Sequence, residues 1–157
     1  MADKSKLGME MQSYSIEIEK GKIAEFAMAI FQKEGKDQID PIYLDQKAAK
    51  EAGYNDIIVP PTFQFCFPFL AGGGLMPIIQ RLGIDLIRLL HGGEEYDYFG
   101  PIYPGDIITG KAKVVEMYDK EKKDKPGKFM EFTVVETEFR NQRGELVIKG
   151  RTTIIER

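Results

Sequence analysis

His91 is the only histidine in this chain of 157 residues, and the carboxylates Glu94 and Glu95 follow shortly after it. A histidine beside a carboxylate can serve as a general base near neutral pH. The plainer reading is a histidine at a strand start, bonded to backbone and serving the fold or a dimer contact. Cys66 is the only cysteine and stands between Phe65 and Phe67, with no basic residue nearby, which reads as an inert core thiol. One histidine without a cysteine cluster is a poor zinc set, so no metal site is expected. Gly72, Gly73 and Gly74 are not followed by the Gly-Lys-Ser/Thr of a phosphate-binding loop. Together with Phe63 to Leu70 they instead suggest an apolar tunnel with a pliable lip. For any single phenylalanine, core filling remains the favoured alternative.

These residues belong to the most apolar part of the chain, from Asp56 to Leu90. It holds four of the ten phenylalanines and contains no Lys or Glu. Such a stretch must be buried. Phe63, Phe65, Phe67 and Phe69 alternate like a strand, while Pro61 suits the first position of a helix. The reading adopted is a short buried helix opening at Pro61, a glycine break at 72–74, and a second helical piece from Leu75 to about Leu82.

Around this centre, Tyr14 to Ile18 reads as a short strand. Lys20 to Gln32 reads as an amphipathic helix with Ile23, Phe26, Ala27 and Ile30 on one face, ended by Gly35. Asp40-Pro41 marks a turn, and Asp45 caps a short helix running to Ala52. Four long strands follow, from Arg88 to Phe99, Asp106 to Tyr118, Lys128 to Arg140 and Glu145 to Glu156. The charged run Asp119 to Gly127 is expected as a solvated hairpin loop. Gly110 and Gly150 fall on the apolar faces of their strands, which implies a close backbone approach there, with the 61–70 helix as the expected neighbour. An antiparallel sheet curled round one buried helix is an α+β hot-dog fold, here as a single domain over 13–157 behind a flexible tail of residues 1–12.

The totals agree with one ordinary globular domain: 43% hydrophobic and 30% charged residues, with a net charge of −3. That charge gives no support to a nucleic-acid or anionic-membrane partner. Without a signal-peptide core or an unbroken apolar span, a cytoplasmic location is the expectation.

Several stretches carry a resemblance: Asp40-Pro41-Ile42-Tyr43-Leu44-Asp45, Ala48-Ala49, Gly53-Tyr54, Ile57 to Phe63, Leu90-His91-Gly92, Pro101 to Asp106, and Val135 to Phe139. The sequence resembles the MaoC-like hot-dog dehydratases and (R)-specific enoyl-CoA hydratases, in particular their FAS1-like dehydratase N-terminal domain. The resemblance implies a lyase of fatty acid metabolism, with water added to or removed from an acyl thioester between C2 and C3 and no cofactor. Catalytic members of this family carry an Asp and a His in a D-x-N-P-x-H stretch. Aligned on Pro41, this chain has Gln38 at the aspartate position, Asp40 at the asparagine and Tyr43 at the histidine. Gln38 takes no proton, and a tyrosine with an ordinary pKa of about 10 is a poor base at neutral pH. Asp40 reads better as a turn residue beside Pro41.

The resemblance therefore implies an acyl-CoA- or acyl-ACP-binding subunit that works with a dyad-bearing hot-dog chain, or as a homodimer. Tyr43, Pro61, Thr62, Phe63, Phe65, Gly72, Gly73 and Gly74 are its expected substrate contacts. Leu-His-Gly stretches also occur in relatives without the dyad, which favours the plain role for His91. Two alternatives stay open: a self-sufficient hydratase using His91, and a binding module without a reaction.

Overall fold

The computed structural model describes residues 3–32, 39–71 and 73–157. Gln38, Gly35 and Gly72, each named above, lie outside the described residues. The chain folds as β1 (Tyr14–Glu17), α1 (Lys20–Gln32), α2 (Gln46–Glu51), α3 (Phe67–Leu70), α4 (Met76–Leu82), β2 (Leu89–Tyr98), β3 (Ile107–Lys122), β4 (Lys125–Arg140) and β5 (Leu146–Glu156). The strands form one antiparallel sheet in the order β1-β3-β4-β5-β2. The sheet curls round the central segment, and the whole is a hot-dog fold.

Helix α1 keeps the bounds its periodicity gives, with Ile23 and Ala27 fully buried on the inward face. Asp45 caps α2, its carboxylate accepting the Ala48 N–H at 2.7 Å. The central segment differs from expectation. Its helix does not open at Pro61, because Thr62 adopts a left-handed conformation (φ 73°) and a 3-10 turn over Phe63–Cys66 precedes α3. Pro68 explains the division. It has no N–H to donate, so α3 starts anew with Pro68 in its first turn, where no donor is needed. Phe67 is fully buried and meets Phe63 and Phe139 edge to face at 5.6 Å each.

Two further expectations are corrected. The 119–127 run is not a loop: β3 and β4 stay paired out to Lys122 and Lys125, leaving residues 123–124 as the turn. Cross-strand stacking explains the extension, since Tyr118 and Phe132 lie parallel at 4.8 Å with the Lys120 ammonium above both rings. Nor does the central helix fill the space over the strand glycines. Tyr14 pairs with Gly110 across the sheet, and a Cβ at Gly110 would come within 2.6 Å of its ring. Tyr96 pairs with Gly150, and a Cβ there would lie 3.0 Å from that ring. Each glycine makes room for an aromatic ring on an adjacent edge strand.

Before β1, where a loose tail is expected, Gly8 and Met11 donate their N–H groups to Val114 and Ala112 of β3, and Met11 is buried. The buried side chains fall into two clusters. One surrounds Phe63, Phe67, Phe139 and Ile148. The other joins α4 to the sheet through Ile79, Leu82, Val114, Val135 and Ile154.

Candidate functional site

The strand register fixes what faces the central segment. Four rows cross the concave side of the sheet: Gly110-Phe139-Ile148-Tyr98, Ala112-Thr137-Gly150-Tyr96, Val114-Val135-Thr152-Glu94 and Met117-Thr133-Ile154-His91. Residues three apart in a regular strand face opposite ways, so His91 and Glu94 should diverge. A bulge between His91 and Gly93 inserts Gly92 and returns both to the same side.

Between these rows and the central segment lies a cavity of about 320 Å³. Its sheet side includes Ala112, Val135, Thr137, Phe139 and Gly150. Phe65, Pro68, Gly73, Leu75 and Ile78 close it from the other side. The cavity touches both hydrophobic clusters, through Phe139 on one side and through Met11, Val135 and Ile154 on the other. Its predominantly apolar wall suits a hydrocarbon chain. Polar groups enter at a few points only.

Glu94 is one of them, its side chain 16% exposed. His91 Nε2 lies 3.1 Å from Glu94 Oε1, and the Thr152 hydroxyl donates to Oε2 at 3.0 Å. Both carboxylate oxygens are therefore engaged. The His91 ring is 49% exposed, stands edge-on to Phe65 at 6.1 Å, and does not line the cavity. Tyr96 does line it, and burial first, then the Glu94 charge, raises its phenol above the ordinary tyrosine value. Burial alone does the same to Tyr14.

The expected substrate contacts separate. Phe65, Gly73 and Gly74 line this cavity. Phe63 is core, tilted against Phe26 at 4.9 Å. Thr62 does not line it, and its N–H is donated to the Tyr98 hydroxyl at 3.1 Å. Tyr43 and Pro61 line a different groove, with Tyr54, Tyr98 and Phe99. There Tyr43 stacks on Phe31 at 5.7 Å, and burial, then Asp40, raises its phenol further from use as a base. Asp40 caps the 41–43 turn by accepting the Ile42 N–H at 3.0 Å. The Pro104-Gly105-Asp106 motif is also structural. Asp106 accepts the Tyr103 N–H and the Gln142 side-chain amide, tying the start of β3 to the β4–β5 turn.

Sequence reasoning missed Tyr14, Gln64, Glu94 and Tyr96 as cavity residues. Gly110 and Gly150 were the available signal, since a strand glycine can mark the place of an aromatic ring opposite. Among the described residues, no group of three or more His, Cys, Asp or Glu side chains gathers as a metal site. No helix among them is long and apolar enough to cross a membrane.

A family model described as "FAS1-like, dehydratase domain region" matches residues 5–150. A UPF0336 protein of Saccharopolyspora erythraea is 33% identical over 156 residues, 99% of this chain and 91% of that protein. In three dimensions the chain is similar to a MaoC-like dehydratase, with a TM-score of 0.79 at 18% identity over 98% of this chain and 42% of that one. It is similar as well to a chain of the HadBC (3R-hydroxyacyl-ACP dehydratase) complex from Mycobacterium tuberculosis, with a TM-score of 0.76 at 17% identity and 96% of each chain covered.

Proposed function

This chain belongs to the family of FAS1-like dehydratase domains, and we propose on that footing that it is the acyl-thioester-binding subunit of an (R)-3-hydroxyacyl-thioester dehydratase or enoyl hydratase. Its proton-transfer dyad comes from a second hot-dog chain. The observation that carries this reading is the separation of cavity and dyad position. The apolar cavity lies along the concave face, while Tyr43 stands in another groove, stacked and poorly ionisable. The cavity holds the acyl tail, and the partner performs the chemistry at C2 and C3.

Support for such a partner comes from β2, an edge strand with its outer side unpaired within this sheet. Leu86, Ile87 and Leu90 lie exposed at its start, Ile87 at 88%. An open edge beside apolar side chains favours association with another sheet. The similar Mycobacterium tuberculosis structure is itself a complex. The subunit acts in the cytoplasm, on a CoA or carrier-protein thioester.

The test is reconstitution. Mixed with a hot-dog chain that keeps D-x-N-P-x-H, this chain should yield crotonyl-CoA hydration that neither shows alone. Full turnover by the lone chain would overturn the reading.

The His91–Glu94 contact favours a second reading, in which this pair is the base of a self-sufficient hydratase. Against it stand the two engaged oxygens of Glu94 and the position of the imidazole outside the cavity wall. His91→Gln, checked for folding, decides: a large loss of turnover supports the pair, and unchanged turnover removes it. Acyl-CoA binding without reaction in any pairing would leave a pure binding module.

A further inference from the structure

Two polar residues interrupt the apolar cavity wall in a way that a plain hydrocarbon chain would not use. Gln64 is 1% exposed and lines the cavity from the central segment. Its carboxamide is held at one end by the Tyr98 hydroxyl, 2.8 Å from Nε2, while Oε1 is buried without a hydrogen-bond partner among the described residues. Tyr14 lines the cavity from β1, and its hydroxyl is likewise buried and unpartnered among the described residues. Leaving such atoms unsatisfied is costly, so each calls for a partner or a use.

Neither group is needed for packing. A leucine fills nearly the volume of Gln64, and a phenylalanine would cover Gly110 as well as Tyr14 does. What the two residues add to the lining of an apolar cavity is one amide and one phenol, each with a buried polar atom still to be satisfied. The phenol can donate or accept, and a ligand hydroxyl can serve either group.

We propose that the cavity selects acyl chains bearing a hydroxyl or keto oxygen beyond C3, recognised by Gln64 and Tyr14. The proposal rests on the acyl-binding reading, which places C3 at the partner's dyad and the tail in this chain. An oxygen reaching this wall then belongs to the tail. A plain alkyl tail would bury the amide and the phenol against methylenes. An oxygenated tail satisfies them, and selection follows from that difference.

The experiment is calorimetric titration of the purified chain with acyl-CoAs of equal length: saturated, 3-hydroxylated, and hydroxylated at a mid-chain carbon. The mid-chain compound should bind about tenfold more tightly than the saturated one, as expected for satisfying a buried polar group. Tyr14→Phe and Gln64→Leu should each bring that ratio towards one while leaving the saturated chain bound at least as well. Tyr14→Phe should also raise the melting temperature of the ligand-free protein, because it removes an unsatisfied buried hydroxyl.

Equal affinity for the saturated and mid-chain compounds would overturn the proposal and leave the acyl-binding reading standing. So would a preference confined to the 3-hydroxy compound, since the oxygen read would be that of the reacting carbon. A Tyr14→Phe melting temperature lowered as by a lost hydrogen bond would overturn it too, by showing the phenol already satisfied. If no acyl-CoA binds, the acyl-binding reading itself falls.

Discussion

Gly110→Ala tests the account of the strand glycines. The added methyl would stand 2.6 Å from Tyr14 Cζ and 2.8 Å from its hydroxyl oxygen, well inside contact distance. Overpacking of this kind costs about 1–3 kcal/mol. Replacing a strand glycine returns about 0.5–1 kcal/mol through the reduced freedom of the unfolded chain. The net expectation is a loss of about 1–2 kcal/mol, which in a domain of this size lowers the melting temperature by about 2–8 °C. The displaced ring also encroaches on the cavity it lines, so acyl binding should weaken.

A double-mutant cycle isolates the contact. In a Tyr14→Ala background the new methyl meets no ring, so Gly110→Ala should become neutral or stabilising, with a coupling energy of about 2 kcal/mol. Thermal and urea denaturation of the four proteins measure this. The same cost in both backgrounds would refute the reasoning, because the glycine would then be required by its backbone rather than by the tyrosine.

Phe67→Ala, which removes a fully buried ring in edge contact with Phe63 and Phe139, should cost about 3–5 kcal/mol by denaturant titration. Asp45→Ala deletes the cap on the Ala48 N–H and should cost about 1 kcal/mol, with Asp45→Ser recovering most of it in the same assay. Tyr14 and Tyr96 keep their protons in the folded state above the ordinary tyrosine value of 10.0. The unfolded chain therefore deprotonates first, so their stabilisation is complete below pH 10 and is lost as pH rises further. Urea midpoints from about pH 9 to about pH 11 should fall, and fall less steeply for Tyr14→Phe.

Much of the frame can be read from local pattern. The period of Ile23, Phe26, Ala27 and Ile30 places α1 at the bounds the structure has, and Asp45 marks the start of α2. The alternation in β3 puts Ile108, Gly110, Ala112 and Val114 inward, and all four are buried. The site resists such reading because it is assembled by pairing order. Tyr14 and Tyr96 come from strands at opposite edges of the sheet, and no local pattern announces that β1 joins β3 while β2 joins β5. His91 and Glu94 meet because of one inserted residue, and their spacing alone would put them on opposite faces. Gln64 was hidden for another reason: amid four phenylalanines a glutamine reads as the wet side of a helix, yet here it faces inward. Pro61 does not open a helix, although its type suits that position, because the chain first turns through Thr62.

The interior of this molecule is divided. Phe67 and its neighbours form one half, α4 and the far end of the sheet form the other, and the cavity runs between them. An aliphatic guest lying there touches both halves and acts as a keystone, adding to cohesion in proportion to its affinity and concentration. Heat resistance thereby becomes a gauge of occupancy. A preparation that carries lipid from its host should melt above the same protein after delipidation, and mass spectrometry of the extract would identify the guest.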